Sequence, residues 1–318
     1  MTETSQLALD LIGTAAIAPI TDRAFLRIIG PDATRWLNGM VTNSIQSLAP
    51  GEGNYNFLLN AQGRIQGDCT IYREPGEEPT FLLETDSSQL ETVHKTLDHF
   101  IIMDDVELTP AYTDDSALLL IGPDTSTTLR KLALPTLDPL RLVYADTPHG
   151  LLLLTAPAPA ILPRFELHAS IAALNALQAV ANLPEVSAET LEQLRILEGR
   201  PKYGVDIRNT EAHKDLPQET AQTHALHFTK GCYLGQEIVE RIRSRGQVHR
   251  TFTLFTLTGE LPALPTPLTA NEKPAGELTS ATRIGDRIYA LGNIRREILD
   301  THQAITYPGG TALPVSHR

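Results

Sequence analysis

Thiols are scarce in this chain: Cys69 and Cys232 are the only two among 318 residues. They lie far apart in sequence, which argues against a secreted disulfide framework. A self-contained zinc or iron–sulfur site of the four-cysteine kind would also need more thiolates than the chain owns. Long apolar runs are missing as well. No stretch approaches the ~18 residues that cross a bilayer, and the leading MTETSQLALDLIG carries Glu3 and Asp10 in place of a basic n-region. The expectation is a cytoplasmic protein with no membrane partner. Positive charge is in deficit, 26 Lys plus Arg against 38 Asp plus Glu for a net charge of −12. That balance argues against a surface designed all round to attract phosphates, so any nucleic-acid contact is local.

Several common motifs are absent too. Gly51-Glu52-Gly53 runs into Asn54-Tyr55-Asn56, without the third glycine of a dinucleotide fingerprint, and there is no P-loop and no Gly-x-Ser-x-Gly elbow. His224 and His227 form an HxxH pair with no third ligand at helical spacing, and they read as surface or core histidines.

What is present suffices for a core: 42% of residues are hydrophobic and 20% charged, close to the globular average. The length predicts two domains, or one divided core with an appendage. Phe25 to Ile29 reads as a strand, and Gly30-Pro31-Asp32 opens a helix that carries the single tryptophan, Trp36, as a core residue. Asn54–Leu59 and Ile65–Tyr72 read as an antiparallel hairpin turned by Asn60-Ala61-Gln62-Gly63. Leu90, Val93, Leu97, Phe100 and Ile101 place one apolar stripe on a helix from Ser87 to Ile101. Strand, helix, strand and strand signals follow at 117–121, 125–134, 141–144 and 151–154, a mixture of hairpins and single helices that predicts α+β layers. Ala156 to Pro163 reads as a linker or domain crossing, and helices are expected over 170–181 and 188–198. After Gly246, short Thr- and Leu-rich strands broken by Pro and Gly predict a small β-barrel or sandwich.

The most informative segment is Lys230-Gly231-Cys232-Tyr233-Leu234-Gly235-Gln236-Glu237. Its glycines permit left-handed or closely approaching backbone, and Gly235 leads into a helix over 236–245 with Ile238 and Ile242 inward. Cys232 then precedes a helix N-terminus beside Lys230, and both influences favour thiolate. A buried structural cysteine in a tight turn is the alternative.

KGCYLGQE, followed by IVERIRSRGQVHR, resembles the signature of the YgfZ-type folate-binding proteins, relatives of the glycine-cleavage aminomethyltransferase and of the mitochondrial iron–sulfur assembly factor of the same family. DATRWLNGMVTNSI, NFLLNAQGRIQGD and LRILEGRPKYGVDI agree with it along most of the chain. The resemblance implies an α+β fold in the form of a three-domain ring with a small C-terminal β-barrel. Residues 1–246 would form a folate-binding body of two interleaved α+β domains, and residues 247–318 the barrel. It also implies tetrahydrofolate, or a one-carbon derivative, in the central hole.

Each implied site residue has a reading of its own. Glu198 falls on the apolar stripe of Leu191 and Leu194 and at a helix C-terminus, where the dipole disfavours an acid. It is the candidate acceptor for pteridine N–H groups, against a frayed helix end turned to water. Tyr203 is a candidate wall for the pterin. Lys230 and Arg241 are candidate cations for the anionic tail, although Glu237 and Arg241 also make a favourable i,i+4 pair, and Arg243, Arg245 and Arg250 add to the same basic cluster. Asp68 is the candidate catalytic acid beside Cys232. The aminomethyltransferases carry adjacent acids on this strand, where the present chain reads Gln66-Gly67-Asp68, so the acid pair is incomplete. Cys69 reads as a small core residue.

Three functions stay open at this point. One is a tetrahydrofolate-binding accessory factor for assembly or repair of iron–sulfur enzymes, including tRNA-modifying ones, with Cys232 lending one thiolate to a transient cluster shared with a client or assembly protein. A folate-dependent aminomethyl or methyl transfer enzyme is the second, and direct tRNA binding the third.

Overall fold

The fold was described from a computed structural model, covering residues 2–112, 116–158, 160–211, 213–246, 248–301 and 303–315. The chain divides into two units. One comprises Met1–Leu58, Gln66–Ala188 and His227–Leu234; the other comprises Leu59–Ile65, Glu189–Leu226 and Gly235–Arg318.

The elements of the first unit are α1 (Glu3–Ile12), β1 (Ala16–Ile20), β2 (Arg23–Ile29), α2 (Ala33–Met40), β3 (Gly53–Leu59), β4 (Ile65–Arg73), β5 (Phe81–Asp86), α3 (Leu90–Asp98), β6 (Glu107–Ala111), β7 (Ser116–Ile121), α4 (Thr125–Lys131), β8 (Arg141–Thr147), β9 (Gly150–Ala156), β10 (Arg164–Ala169) and α5 (Ile171–Ala181). They build two five-stranded sheets, in the orders β3-β4-β5-β2-β6 and β1-β7-β10-β9-β8. Alternation along β4 sets the first sheet's layers, because successive side chains of a strand point to opposite faces. Cys69 and Ile71 join Trp36, Leu37, Val93 and Leu97 of α2 and α3 in one apolar cluster. Tyr72 takes the other face, where it clusters with Phe25 and Leu82, and with Leu142 and Leu153 of the second sheet. The second sheet turns Leu118, Leu120, Leu154 and Phe165 to Leu129 of α4 and to Leu174 and Leu177 of α5.

Some expectations shift here. The helix drawn over 87–101 is shorter, because Ser87 to Gln89 form a turn and α3 begins at Leu90; Phe100 and Ile101 still pack on the same cluster from beyond its end. The Pro- and Ala-rich stretch after β9 is no domain crossing. It connects β9 to β10, which pair antiparallel in one sheet. Trp36 is a core residue as expected, and its indole N–H donates to the Phe100 carbonyl at 3.1 Å.

The second unit holds α6 (Ala188–Leu197), α7 (Gln236–Arg245), β11 (Arg250–Gly259), β12 (Thr266–Ala270), β13 (Lys273–Ile284), β14 (Arg287–Arg295), α8 (Arg296–Asp300), β15 (Ile305–Tyr307) and β16 (Gly310–Pro314). The six strands close a barrel in the order β11-β14-β13-β12-β15-β16, as the Thr/Leu patterning after Gly246 predicts. Phe255, Leu268, Leu278, Ala290 and Ile305 form its core. Two glycines lock α7 to the tip of the β3–β4 hairpin. Gly235 lies at φ +81°, where a Cβ would stand 2.5 Å from the Asn60 carbonyl oxygen, and a Cβ on Gly63 (φ +69°) would stand 2.8 Å from Cβ of Ile238. Only residues without a side chain allow this approach in this conformation. Helix α7 covers 236–245 as expected, but Val239 is its fully buried residue, while Ile238 and Ile242 are half-buried.

Candidate functional site

The Cys232 thiol stands on the loop before α7, within the first unit. Cys232 is exposed and Cys69 buried. Burial, then the charges of Asp68 and Glu84, push the Cys69 thiol well above its ordinary range, so Cys69 remains an inert core group. The Cys232 loop is tied down on both sides of the thiol. His227 N–H donates to the Thr42 carbonyl at 3.1 Å and Leu234 N–H to the Gly39 carbonyl at 3.0 Å. Between them the Lys230 ammonium donates to the carbonyls of Val41 and Asn43 at 2.5 and 2.6 Å and stands 5.0 Å from the Tyr233 ring centroid. Lys230 was expected as a cation serving the thiol or an anionic tail. It is turned inward instead, and burial pulls its amine down to about 7. With Lys230 and Tyr233 spent as anchors, and Gly231 supplying a φ of +93°, Cys232 is left exposed.

Asp68 belongs to the same unit, half-buried on the face of β4 that also carries Thr70 and Tyr72. Tyr55 donates its hydroxyl to Oδ2 at 2.5 Å and Gln89 its amide to Oδ1 at 2.7 Å, while Asp68 N–H donates to Gln89 Oε1 at 3.0 Å. Burial, the larger influence, raises the carboxyl above its usual range against these two donors. A chain of contacts leads from here to the thiol loop. The carbonyl of Tyr55 accepts from the Asn43 amide at 3.2 Å, and the carbonyl of Asn43 accepts from Lys230. Gly67 points the other way. A Cβ there would lie 3.1 Å from Cγ2 of Val93, so an acid at position 67 would enter the apolar layer and could not share a face with Asp68.

The second unit carries the remaining candidates. Glu198 lies one residue past α6, not in it, yet its side chain is only 5% exposed, with Arg200 at 3.6 Å. It is therefore withdrawn from bulk water, at a distance from Arg200 longer than a charge-assisted hydrogen bond. Tyr203 is half-buried in the following turn, where it bridges to Ile207. Sequence reasoning missed what shapes this turn. Arg195 donates to Asp206 at 2.6 Å, to the Arg200 carbonyl at 2.7 Å and to Ser280 of β13 at 2.7 Å. Asp206 in turn accepts from Thr279 at 2.5 Å and from the Lys202 amide at 2.9 Å. The clue was a second pair of opposite charges in LRILEGRPKYGVDI, masked by reading only Glu198 as unusual.

The basic cluster is thinner than its sequence suggests. Arg241 is exposed on α7. Among the described residues, the ion pair on this helix joins Arg243 to Glu240 at 3.6 Å, and none joins Arg241 to Glu237. Arg250 is bound by Asp215 at 2.7 Å and by Glu219 at 3.0 Å. The Arg245 side chain lies outside the described residues.

Among the described residues, no group of three or more His, Cys, Asp or Glu is arranged to hold a metal ion, and no helix is long and apolar enough to cross a membrane. Glu198, a carboxylate withdrawn from water, and Tyr203, a half-buried ring in the turn that follows, are groups of the chemistry that a pterin's N–H edge and ring would engage.

Residues 14–147 match the GCVT N-terminal domain. The fold is that of aminomethyltransferase T of the glycine cleavage system from Bartonella henselae, with a TM-score of 0.83 over 99% of this chain and 88% of that one at 19% identity. The chain is 30% identical over 257 residues to the mitochondrial iron–sulfur cluster assembly factor IBA57 of Mus musculus, across 76% of this chain and 66% of that protein. It is 25% identical over 260 residues to the IBA57 homolog of Neurospora crassa, across 79% and 56%. To the tRNA-modifying protein YgfZ of Pectobacterium carotovorum it is 27% identical over 277 residues, across 80% and 74%. Its match spans between half and two thirds of the length of the first of these curated relatives. Fold, matched domain and relatives agree with the signature at 230–237, and the chain belongs to the YgfZ/IBA57-type aminomethyltransferase-like proteins.

Proposed function

We propose that the protein is a tetrahydrofolate-binding accessory factor in the assembly or repair of iron–sulfur enzymes, tRNA-modifying ones among them. Kinship with proteins named as iron–sulfur cluster assembly factors and as a tRNA-modifying protein supports the broad reading. The observation that carries it is the exposed thiol of Cys232 on a loop anchored by Lys230 and Tyr233. A thiol so presented can exchange with a partner's disulfide, or lend one thiolate to a cluster completed by a partner's ligands. In this scheme the cluster is cargo, and the partner is an iron–sulfur client or assembly protein.

Tetrahydrofolate, when bound, supplies a carrier for one-carbon units. In the second unit Glu198 would accept the pteridine N–H groups, Tyr203 would flank the ring and Arg241 would face the anionic tail. Lys230 would serve the thiol loop.

One observation favours a second reading, a one-carbon transfer enzyme. Asp68 is a half-buried carboxyl with a raised proton affinity, held in one orientation by Tyr55 and Gln89, as suits a general acid.

Two variants separate the readings. Glu198→Gln is expected to weaken tetrahydrofolate binding by about 10–100-fold, the worth of hydrogen bonds to a charged group, as read by calorimetry. Cys232→Ser should leave that affinity unchanged and abolish rescue of iron–sulfur enzyme activity in cells lacking the protein. Unaltered folate affinity in the first variant, or full rescue by the second, refutes the accessory scheme as drawn. Catalytic production of formaldehyde or methylenetetrahydrofolate by the pure protein replaces it with the Asp68 enzyme.

A further inference from the structure

Within the first unit, the seam between the two sheets is lined by Phe25, Tyr72, Leu82, Leu142 and Leu153, and into this apolar layer the chain places a group of charges. Arg23 of β2 stands between two buried acids. Its Nε is 2.9 Å from Glu84 Oε1 of β5 and 3.2 Å from Glu166 Oε2 of β10, and its Nη2 is 3.0 Å from Glu166 Oε1. Nη1 turns to Asp22 at 3.3 Å. His168, whose ring meets Phe25 edge-on at 4.9 Å, brings Nε2 to 3.7 Å from Glu166 Oε2, too far for a hydrogen bond. The side chains of Glu84 and Glu166 are 9% and 3% exposed.

One guanidinium thus faces two carboxylates, and it serves them unequally. Glu166 receives both of its oxygens' donors from Arg23. Glu84 has only an ion pair to the same Nε, 2.9 Å from its Oε1, and its Oε2 is buried with no hydrogen-bond partner among the described residues. The hydroxyls of Tyr72 on β4 and Thr155 on β9 are in the same condition. A buried carboxylate oxygen without a donor is costly, whereas a protonated one becomes a donor itself.

We propose that Glu84 is a proton-binding site of the folded protein, its Oε2 carrying a proton within the seam, and that loss of this proton weakens the packing of the two sheets. The hydroxyls of Tyr72, on the neighbouring strand of the same sheet, and of Thr155, on β9 opposite Glu166, would be the acceptors for that proton. Electrostatics agree: burial first, then repulsion by Glu166, push Glu84 up to about 7. Burial acts on Glu166 too, but is outweighed there by Arg23 and His168, which hold it below the usual range. Burial also drives the Tyr72 hydroxyl well up, so it stays neutral. Asp68 and Asp86 lie on the same face of the sheet, where Asp86 acts on Asp68; the charges that act on Glu84 itself are Glu166, Arg23 and His168. This inference does not depend on the folate reading.

The sign follows from linkage. A carboxyl whose affinity is raised from 4.5 to about 7 takes up a proton on folding, so its contribution is complete at low pH and is lost as pH climbs through about 7. The test is urea unfolding of the full chain and of Glu84→Gln from pH 5 to 9. Between pH 5 and 7 the unfolding constant of the native chain should rise relative to the variant's by nearly tenfold per pH unit, with no further divergence above about pH 8. Parallel profiles overturn the proposal. Glu166→Gln removes the repulsion and should move the step to lower pH; an unmoved or raised step overturns it. Should Glu84→Gln fail to fold, infrared difference spectra of the native chain decide. A buried protonated-carboxyl band present near pH 6 and lost by pH 8 upholds the site, and its absence at pH 6 refutes it.

Discussion

At the scale of single residues, Gly67 and Asp68 bear most directly on the chemistry. The sequence suggested that an acid pair had lost one member to glycine. The strand's alternation changes what that loss means: Asp68 lies on the face with Thr70 and Tyr72, while position 67 shares its face with Cys69 and abuts Val93 and Gln89. Restoring an acid at 67 therefore adds no second catalytic group. It buries a carboxylate against hydrocarbon, where the charged form is disfavoured by about 3–4 kcal/mol. Gly67→Asp is expected to lose about 3–4 kcal/mol of stability in urea unfolding at pH 7, and to gain no aminomethyl transfer in a folate turnover assay. A stable, active variant would show that the strand runs in another register. Glu198 was legible from sequence because it broke two local rules at once, and its side chain is withdrawn from water. The part played by Lys230 was not legible. Its partners are the main-chain carbonyls of Val41 and Asn43, and carbonyls leave no trace in a side-chain pattern.

Among the elements, those with a clean period were readable: the β3–β4 hairpin, α2, α5, α7 and the barrel strands. Strand β10 was missed because Arg164, Glu166 and His168 make it look polar, although all six of its residues are buried. Glu166 is sheltered by Arg23, 143 positions away, and no local window reveals such a partner. The contact between the hairpin tip and the start of α7 was hidden for the same reason. It joins NAQGR to KGCYLGQE through Gly63 and Gly235, and it gives both glycines a steric reason. A contrast between two motif glycines tests this. At Gly231 (φ +93°) a Cβ meets nothing within 4 Å, whereas at Gly235 it would lie 2.5 Å from the Asn60 carbonyl oxygen. Gly231→Ala is expected to cost about 1–2 kcal/mol, the backbone strain alone. Gly235→Ala should cost about 3–5 kcal/mol once the clash is added. Thermal unfolding of the two variants gives the order, and equal costs would remove the interlock as the explanation.

For the whole molecule the question is whether an acidic protein related to a tRNA-modifying one grips RNA by itself. The net charge of −12 repels phosphate at long range, so binding would rest on a few local cations. Their number is small. Arg250 is neutralised by Asp215 and Glu219, Arg243 is shared with Glu240, and Arg241 stands exposed on α7. A face of that kind contacts about two or three phosphates, and each contributes close to one unit to the slope of log affinity against log salt. Fluorescence anisotropy with a labelled tRNA should therefore give a slope no steeper than about −3, equivalent to a loss of roughly 10–60-fold between 50 and 200 mM salt. Arg241→Gln should flatten that slope by about one unit. A loss of a thousandfold or more over the same range would require six or more phosphate contacts. Such a result would locate the RNA surface on cations other than those of α7, and would make RNA a direct partner of this chain, where the accessory reading has its thiol loop act on the enzymes that modify RNA.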